Sequence, residues 1–254
     1  MMDNPTHCVP VSTAWAGAGA EAAVTEAVAA AGGRTALVAG ASGLVGREIL
    51  QGLLADEEVA AVHTLGRRSL PLEHSKLTQH IVDFRSLPWL PDVQEVYLAL
   101  GTTLKTAGSR AAFRAVDFDA SLAVARAARA QGASKLGLVS AMGADPHSGI
   151  FYTRVKGELE QALTQLGYST LVFAQPSFLT GDRASLGQPV RAGEKLALAA
   201  SRLLAPFIPG NYQAIEAATV ARVLLRTVRD NVGEHPLTSG RMKSMDRSAC
   251  ASRP

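Results

Sequence analysis

The sequence predicts an α/β domain of the doubly wound type, with a mainly parallel sheet and a small helical C-terminal region. Three observations lead there. Short apolar runs alternate with helical periods, as parallel βαβ units with right-handed crossovers require. A glycine-lined turn joins the first apolar run to the first helical pattern. Across the middle of the chain no internal repeat or linker marks a second domain.

Residues 1–33 read as an appendage. The first nineteen mix Pro, Ser, Thr and Gly, and 20–31 are Ala-rich with little amphipathic contrast, so disorder or a loose helix is expected. The single folded domain is expected over 34–238. Its strands are read at 35–39, 61–65, 80–84, 95–100, 135–140 and 170–174, and its helices at 44–55, 110–131 and 152–166. Gly132 and Gly167 follow two of these helices as C-caps. After Pro176 the pattern thins to helix candidates at 194–205 and 216–230, separated by Pro206, Pro209 and Gly210. The basic, polar stretch 239–254 reads as a disordered tail.

The junction after the first strand is Gly40-Ala-Ser42-Gly43-Leu44-Val45-Gly46. A strand, a glycine turn and a helix N-terminus in succession suit a pyrophosphate. Glycines allow close backbone approach, and the unpaired helix N–H groups and helix dipole favour negative charge. The spacing is G-x-x-G-x-x-G, not G-x-G-x-x-G, and in an Ala/Gly-rich chain three glycines can also mark a plain turn.

A second constellation is Tyr152-x-x-x-Lys156, with Ser140 twelve positions before the tyrosine. Residues four apart share a helical face, and an ammonium beside a phenol favours phenolate. Such a tyrosine can exchange a proton with a substrate oxygen while hydride moves at the adjacent carbon. Ser140 stands at the C-terminal end of a predicted strand, where open parallel sheets place ligands, and its hydroxyl can bond the same oxygen. Tyr and Lys at this spacing also occur by chance, with the lysine solvated; it is the glycine turn and Ser140 that give the pair weight.

Together, Gly40-x-x-Gly-x-x-Gly46, Ser140 and Tyr152-x-x-x-Lys156 resemble the short-chain dehydrogenase/reductase superfamily. Finer detail is similar to its atypical members, the HIV Tat-interacting-protein-like oxidoreductases and their bacterial epimerase-like relatives. The matching segments are Leu65-Gly-Arg-Arg68, Val82-Asp-Phe84, Leu100-Gly-Thr-Thr103, Lys105-Thr-Ala-Gly108, Phe113-Arg-Ala-Val-Asp117, Ser140-Ala-Met-Gly-Ala-Asp145, Tyr152-x-x-x-Lys-Gly-Glu-Leu-Glu160 and Pro176-Ser-x-Leu-x-Gly-Asp-Arg183. They span about 36–183, most of the predicted core.

The resemblance implies a Rossmann fold with Ser140, Tyr152 and Lys156 as the catalytic set. It also implies a dinucleotide held by Gly40, Ser42, Gly43, Leu44, Val45 and Gly46, with Tyr152 and Lys156 reaching it too. At the end of the second strand, where an NAD-binding chain offers an acid to the ribose, this chain offers Arg67 and Arg68. A cationic pair suits a 2′-phosphate, so the cofactor implied is NADP(H); the alternative is two ordinary surface charges. By the same resemblance Asp83 and Phe84 lie on the adenine side, and Gly101 and Thr102 near the adenosine ribose. Pro176 and Ser177 would hold the nicotinamide amide. A solvated Asp83 and a plain turn at Gly101 remain alternatives. Asp117, inside the long helix, is either a solvated charge or part of the site and stays outside the catalytic set. Gln175 departs from the Arg that many relatives carry, and Arg183 could meet an anionic substrate or a structural partner.

Composition sets further bounds. The net charge is +3 with no dense basic block, so no nucleic-acid partner is implied. Cys8 and Cys250 form no C-x-x-C or Cys/His cluster, and His63, His74, His80 and His147 show no ligand spacing, so no metal is expected. No apolar stretch approaches the roughly 18 residues of a spanning helix and no secretory signal is evident. A cytoplasmic protein without a membrane partner is expected. The helices at 110–131 and 152–166 could form a homodimer face.

The leading function is an NADP(H)-dependent oxidoreductase on a small carbonyl or alcohol. The alternatives are an epimerase or dehydratase on a nucleotide sugar, for which the C-terminal region is small, and a non-catalytic NADPH sensor.

Overall fold

A computed structural model of the chain describes residues 32–87, 89–181 and 210–251. Along it run β1 (Arg34–Ala39), α1 (Leu44–Ala55), β2 (Val59–Gly66), β3 (Leu77–Ile81), β4 (Glu95–Leu98) and α2 (Leu104–Ala107). Then α3 (Arg110–Arg114), a π-helical segment (Ala115–Ala120) and α4 (Ser121–Ala130) follow without a break. The chain continues through β5 (Lys135–Val139), α5 (Phe151–Thr164), β6 (Thr170–Gln175) and β7 (Leu179–Thr180). Last come β8 (Ile215–Glu216), α6 (Ala217–Asp230), β9 (Gly233–Thr238) and α7 (Ser239–Ala251).

The sheet is parallel throughout, in the order β3-β2-β1-β4-β5-β6-β9. Winding reverses between β1 and β4, and an open sheet of this kind leaves a ligand crevice at the carboxyl ends of those strands. Two apolar layers flank the sheet. On one face Ala36, Val38 and Val62 meet Ile49, Leu50 and Leu53 of α1 and Val220, Leu224 and Val228 of α6. On the other, Leu37, Leu65, Leu136, Leu138 and Phe173 meet Val124 and Ala128 of α4 and Leu159 and Leu163 of α5. Strands covered on both faces read as unbroken apolar runs, which is why the central strands and α1 match their predicted positions. The doubly wound, mainly parallel α/β class holds.

Three expectations need correcting. The third strand is Leu77–Ile81, three residues earlier than 80–84. Its ladder pairs Val62 with Leu77 through Gly66 with Ile81, and beyond it Asp83 folds back on Arg85 in a turn. As the half-exposed edge strand it carries little periodic signal. The domain also does not end at 238. Residues 239–251 form α7, not a disordered tail, because Met242 is fully buried and Met245 partly buried against the α6 layer, and Arg222 pairs with Asp246 at 2.7 Å. Finally, no strand is expected over 233–238, yet β9 forms there and carries Pro236. The Gly233 N–H donates to Ser169 O, just before β6, so by strand alternation the position of Pro236 faces the open edge, where no donor is needed. The predicted appendage, apart from residues 32 and 33, lies outside the described residues, as do the helix at 194–205 and Arg183.

At the amino end of the strands Arg34 bridges the buried Glu95 (2.9 and 3.1 Å) and Asp56 (2.5 Å), and Tyr97 Oη donates to Glu95. This ionic knot holds the sheet together at the end away from the crevice.

Candidate functional site

The glycine turn after β1 is shaped by steric necessity. Gly40 has φ 92°, and a β-carbon there would collide with the backbone at Ala99, just past β4. At Gly46 a β-carbon would strike the Gly40 carbonyl. Gly43 is the N-cap of α1 and donates its N–H to Gly40 O at 2.9 Å; no side chain caps the helix, and its first turn holds no acid. Arg47 N is the first donor into the helix, to Gly43 O. The N–H groups of Leu44, Val45 and Gly46 therefore precede the intrahelical ladder and point out of the helix end. Ser42 is exposed at the tip of the turn. An acid-free, uncapped end on a twelve-residue helix fits a dinucleotide pyrophosphate.

Arg67 and Arg68 follow β2, whose end pairs Leu65 with Ala39 and whose Leu65 carbonyl accepts from Gly40 N. Both arginines are exposed beside the glycine turn and neither forms an ion pair with a described residue. Asp83 lies two residues past β3 and its carboxylate is held by Arg85 at 2.8–3.1 Å, which keeps it below its ordinary pKa. Phe84 packs against the apolar layer that includes Leu65 and Leu98.

Beyond β4, Gly101 is exposed and Thr102 N donates to Asp117 Oδ2 at 2.9 Å. The other oxygen of Asp117 lies 2.7 Å from Lys156 Nζ. Asp117 is 1% exposed and Lys156 4%. Asp117 is therefore no solvated helix charge. It sits in the π-helical segment, where one extra residue in a turn re-aims side chains, a feature common at functional sites. Neither its buried partner nor the π segment could be read from sequence; Asp117 within the matched Phe113–Asp117 segment was the available hint.

Tyr152 stands in the first turn of α5, 36% exposed, with its ring 5.7 Å from Phe113. One turn on is Lys156, and next to it Gly157 lets the helix back onto Asp145–Pro146, where any β-carbon would collide with backbone. Ser140 lies just beyond β5, its N–H donating to Ala174 O at 2.8 Å, and its buried Oγ completes no hydrogen bond with a described residue. Another turn along α5, both carboxylate oxygens of Glu160 accept from Gln175 Nε2, at 3.2 and 2.9 Å. Burial pushes the Glu160 carboxyl above its ordinary range; the Ser140 hydroxyl, near it but short of a formed hydrogen bond, the Gln175 amide and Lys156 pull it back, while Glu234 pushes it further up.

Pro176 and Ser177 sit at the end of β6 with their peptide groups engaged by the protein. Pro176 O accepts from Met142 N, and Ser177 N donates to Ser239 Oγ at 2.8 Å. Ser177 Oγ donates to Gln213 O. These bonds tie the end of β6 to the segment past β5, to α7 and to the chain just before β8.

The histidines are not all scattered. His63 Nδ1 lies 3.0 Å from His80 Nε2 with the rings stacked, and burial and then the neighbouring His80 hold His63 down to about 4. Among the described residues no group of three or more His, Cys, Asp or Glu side chains is placed to hold a metal, and no helix is long and apolar enough to cross a membrane.

Comparison with known proteins agrees with this geometry. The chain is 32% identical over 202 residues to HTATIP2 of Rattus norvegicus, covering 77% of this chain and 81% of that protein. It is 34% identical over 165 residues to FMP52 of Coccidioides immitis and 35% over 155 to FMP52 of Candida glabrata. Those matches cover 59% of this chain and 67% and 66% of the relatives, so the chain spans about two thirds of their length. Both fungal proteins are named as mitochondrial, which contradicts the expected cytoplasmic location. No protein-family model matches the sequence. Among solved structures, MoeE5 with UDP-glucose and NAD superposes with a TM-score of 0.60 at 16% identity, over 87% of this chain and 83% of that one. A short-chain dehydrogenase family protein from Francisella tularensis gives 0.57 at 14%, over 83% and 99%. These likenesses show the Rossmann fold. With the HTATIP2 match extending over four fifths of that protein, the chain belongs to the atypical short-chain dehydrogenase/reductase family that includes HTATIP2 and FMP52.

Proposed function

We propose that the chain is an NADP(H)-dependent oxidoreductase that interconverts a small carbonyl compound and its alcohol. The observation that carries this reading is the Asp117–Lys156 pair, which fixes an ammonium one helical turn from the solvent-reachable phenol of Tyr152, on the crevice side of the sheet. Gly40, Ser42, Gly43, Leu44, Val45 and Gly46 would hold the pyrophosphate, and Arg67 and Arg68 the 2′-phosphate. Asp83 and Phe84 flank the adenine side, Gly101 and Thr102 the adenosine ribose, and Pro176 and Ser177 back the nicotinamide end. When bound, the dinucleotide gives or takes the hydride.

The rest falls to the side chains. Tyr152 passes a proton to the carbonyl oxygen or takes one from the alcohol, Lys156 favours the phenolate form and reaches the ribose, and Ser140 bonds the same substrate oxygen. A group with two charge-assisted contacts to phosphate is the device that would separate NADPH from NADH. From the names of the fungal relatives we carry over a mitochondrial location.

A second reading, a nucleotide-sugar epimerase or dehydratase, is favoured by the fold likeness to MoeE5 with UDP-glucose and NAD. NADPH consumption across a panel of carbonyls, abolished by Tyr152→Phe, supports the reductase. Conversion of a UDP-sugar with no net change in coenzyme redox state supports the second reading instead.

A further inference from the structure

Ser140 and Gln175 stand side by side at the ends of β5 and β6, and Glu160 of α5 reaches Gln175. Ser140 continues the row Leu136, Leu138 of β5, and Gln175 continues the row Leu171, Phe173 of β6. Both rows belong to the apolar layer that packs against Leu159 and Leu163 of α5. The Ser140 N–H to Ala174 O extends the ladder past the strand end and keeps Ser140 beside Gln175. From the helix side, Glu160 enters the same space, its carboxyl clamped through both oxygens by the Gln175 amide.

Within this space the Ser140 hydroxyl is buried and completes no hydrogen bond with a described residue. A hydroxyl has one proton to give and two lone pairs to receive with, and leaving it unpaired costs free energy. Its partner toward the interior therefore decides which face it turns to the substrate. We propose that Glu160 is a positioning residue that sets the direction of the Ser140 hydrogen bond. Ionised, it draws the Ser140 proton inward and leaves a lone pair facing the substrate oxygen; protonated, it lets Ser140 donate to that oxygen.

The proposal rests on the assignment of Ser140 and Tyr152 made above and adds a direction to it. In carbonyl reduction the substrate carbon gains hydride and its oxygen gains the Tyr152 proton. The charge developing on that oxygen is stabilised only by a donor. Reduction should then fall as Glu160 ionises. The charged groups facing Glu160 are Lys156 on its own helix, itself paired with Asp117, and Glu234 on β9, which accepts from Thr164. Burial raises the carboxyl's pKa, which moves its titration toward neutral pH.

Two measurements test this. The first is kcat/KM for NADPH-dependent carbonyl reduction from mildly acidic to alkaline pH in the wild type and in Glu160→Gln, whose amide can donate to Ser140 at every pH. The proposal expects a drop of about tenfold or more through the Glu160 titration in the wild type, and its disappearance in the variant with KM little changed. An identical pH profile in a folded Glu160→Gln variant would overturn it. The second needs no turnover: the Glu160 carboxyl is titrated by carbon-13 NMR in wild type and in Ser140→Ala. Loss of the donor should raise the carboxyl's pKa, and an unmoved titration overturns the proposal. A protein that reduces nothing at any pH, yet shows this linkage, would sink the oxidoreductase assignment and keep the coupling of Glu160 to Ser140.

Discussion

Lys156 Nζ lies 2.7 Å from Asp117 Oδ1, and both side chains are almost wholly withdrawn from solvent. Through its second oxygen Asp117 also receives the Thr102 N–H. One carboxylate thus joins three parts of the chain: the segment beyond β4, the π-helical segment and the middle of α5. The lysine that would serve Tyr152 is held in place before any ligand arrives, by a partner whose own desolvation is offset by two bonds.

Breaking such a pair on one side leaves an uncompensated buried charge. Asp117→Ala is expected to lower stability by about 3–5 kcal/mol, and adding Lys156→Met should recover much of the loss. Urea denaturation of the two variants measures both. A single variant as stable as the wild type would mean that the ammonium finds solvent or another partner.

Arg67 and Arg68 stand exposed where a 2′-phosphate would lie, without an ion pair to any described residue. Replacing either with Ala is expected to weaken NADPH binding roughly tenfold or more while leaving NADH nearly unchanged, since only the former carries the extra phosphate. Fluorescence titration with both coenzymes reads the ratio. Equal losses for the two would show that the arginines act on something common to both.

The turn at Gly46 leaves no room for a methyl group against the Gly40 carbonyl. Gly46→Ala should cost about 1–3 kcal/mol of stability through overpacking and abolish coenzyme binding by deforming the helix end. Thermal denaturation with and without NADPH separates the two effects: the variant should melt lower and gain no protection from coenzyme.

His63 is held to about 4 from an ordinary 6.5. Between those values the unfolded chain binds a proton that the folded chain refuses, so the stability is present above about pH 6.5 and lost as pH falls toward 4. The slope is about 1.4 kcal/mol per pH unit, roughly 3 in all. Denaturation curves from pH 7 to 4 should lose this slope in His63→Leu. An unchanged acid limb would place the titration elsewhere.

The parts of this fold that were legible are those that repeat a period. Buried strands such as 36–39 and amphipathic α1 announce themselves by their apolar spacing, and the glycine turn is visible because only glycine fits Gly40 and Gly46. Edge elements were harder. β3 is half exposed, and Pro236 disguised β9 because its harmlessness depends on which side of the strand meets a neighbour. Helix α7 hid Met242 and Met245 among arginines, lysine and serines, so its composition read as a tail. The site divided in the same way. Tyr152, Lys156 and Ser140 stood out by spacing, whereas Asp117, Glu160 and the His63–His80 stack acquire their character only from partners distant in the chain. The engaged peptide groups of Pro176 and Ser177 likewise depend on Met142 and Ser239, far away in sequence.

Calorimetric titration of the wild-type chain with NADPH, beside the same titration of Gly46→Ala, tests the central claim most directly. The account predicts saturable binding near one equivalent per chain in the wild type and none in the variant. No binding heat at several temperatures with NADPH, NADP+ or NADH, or equal binding by the Gly46→Ala protein, would contradict it.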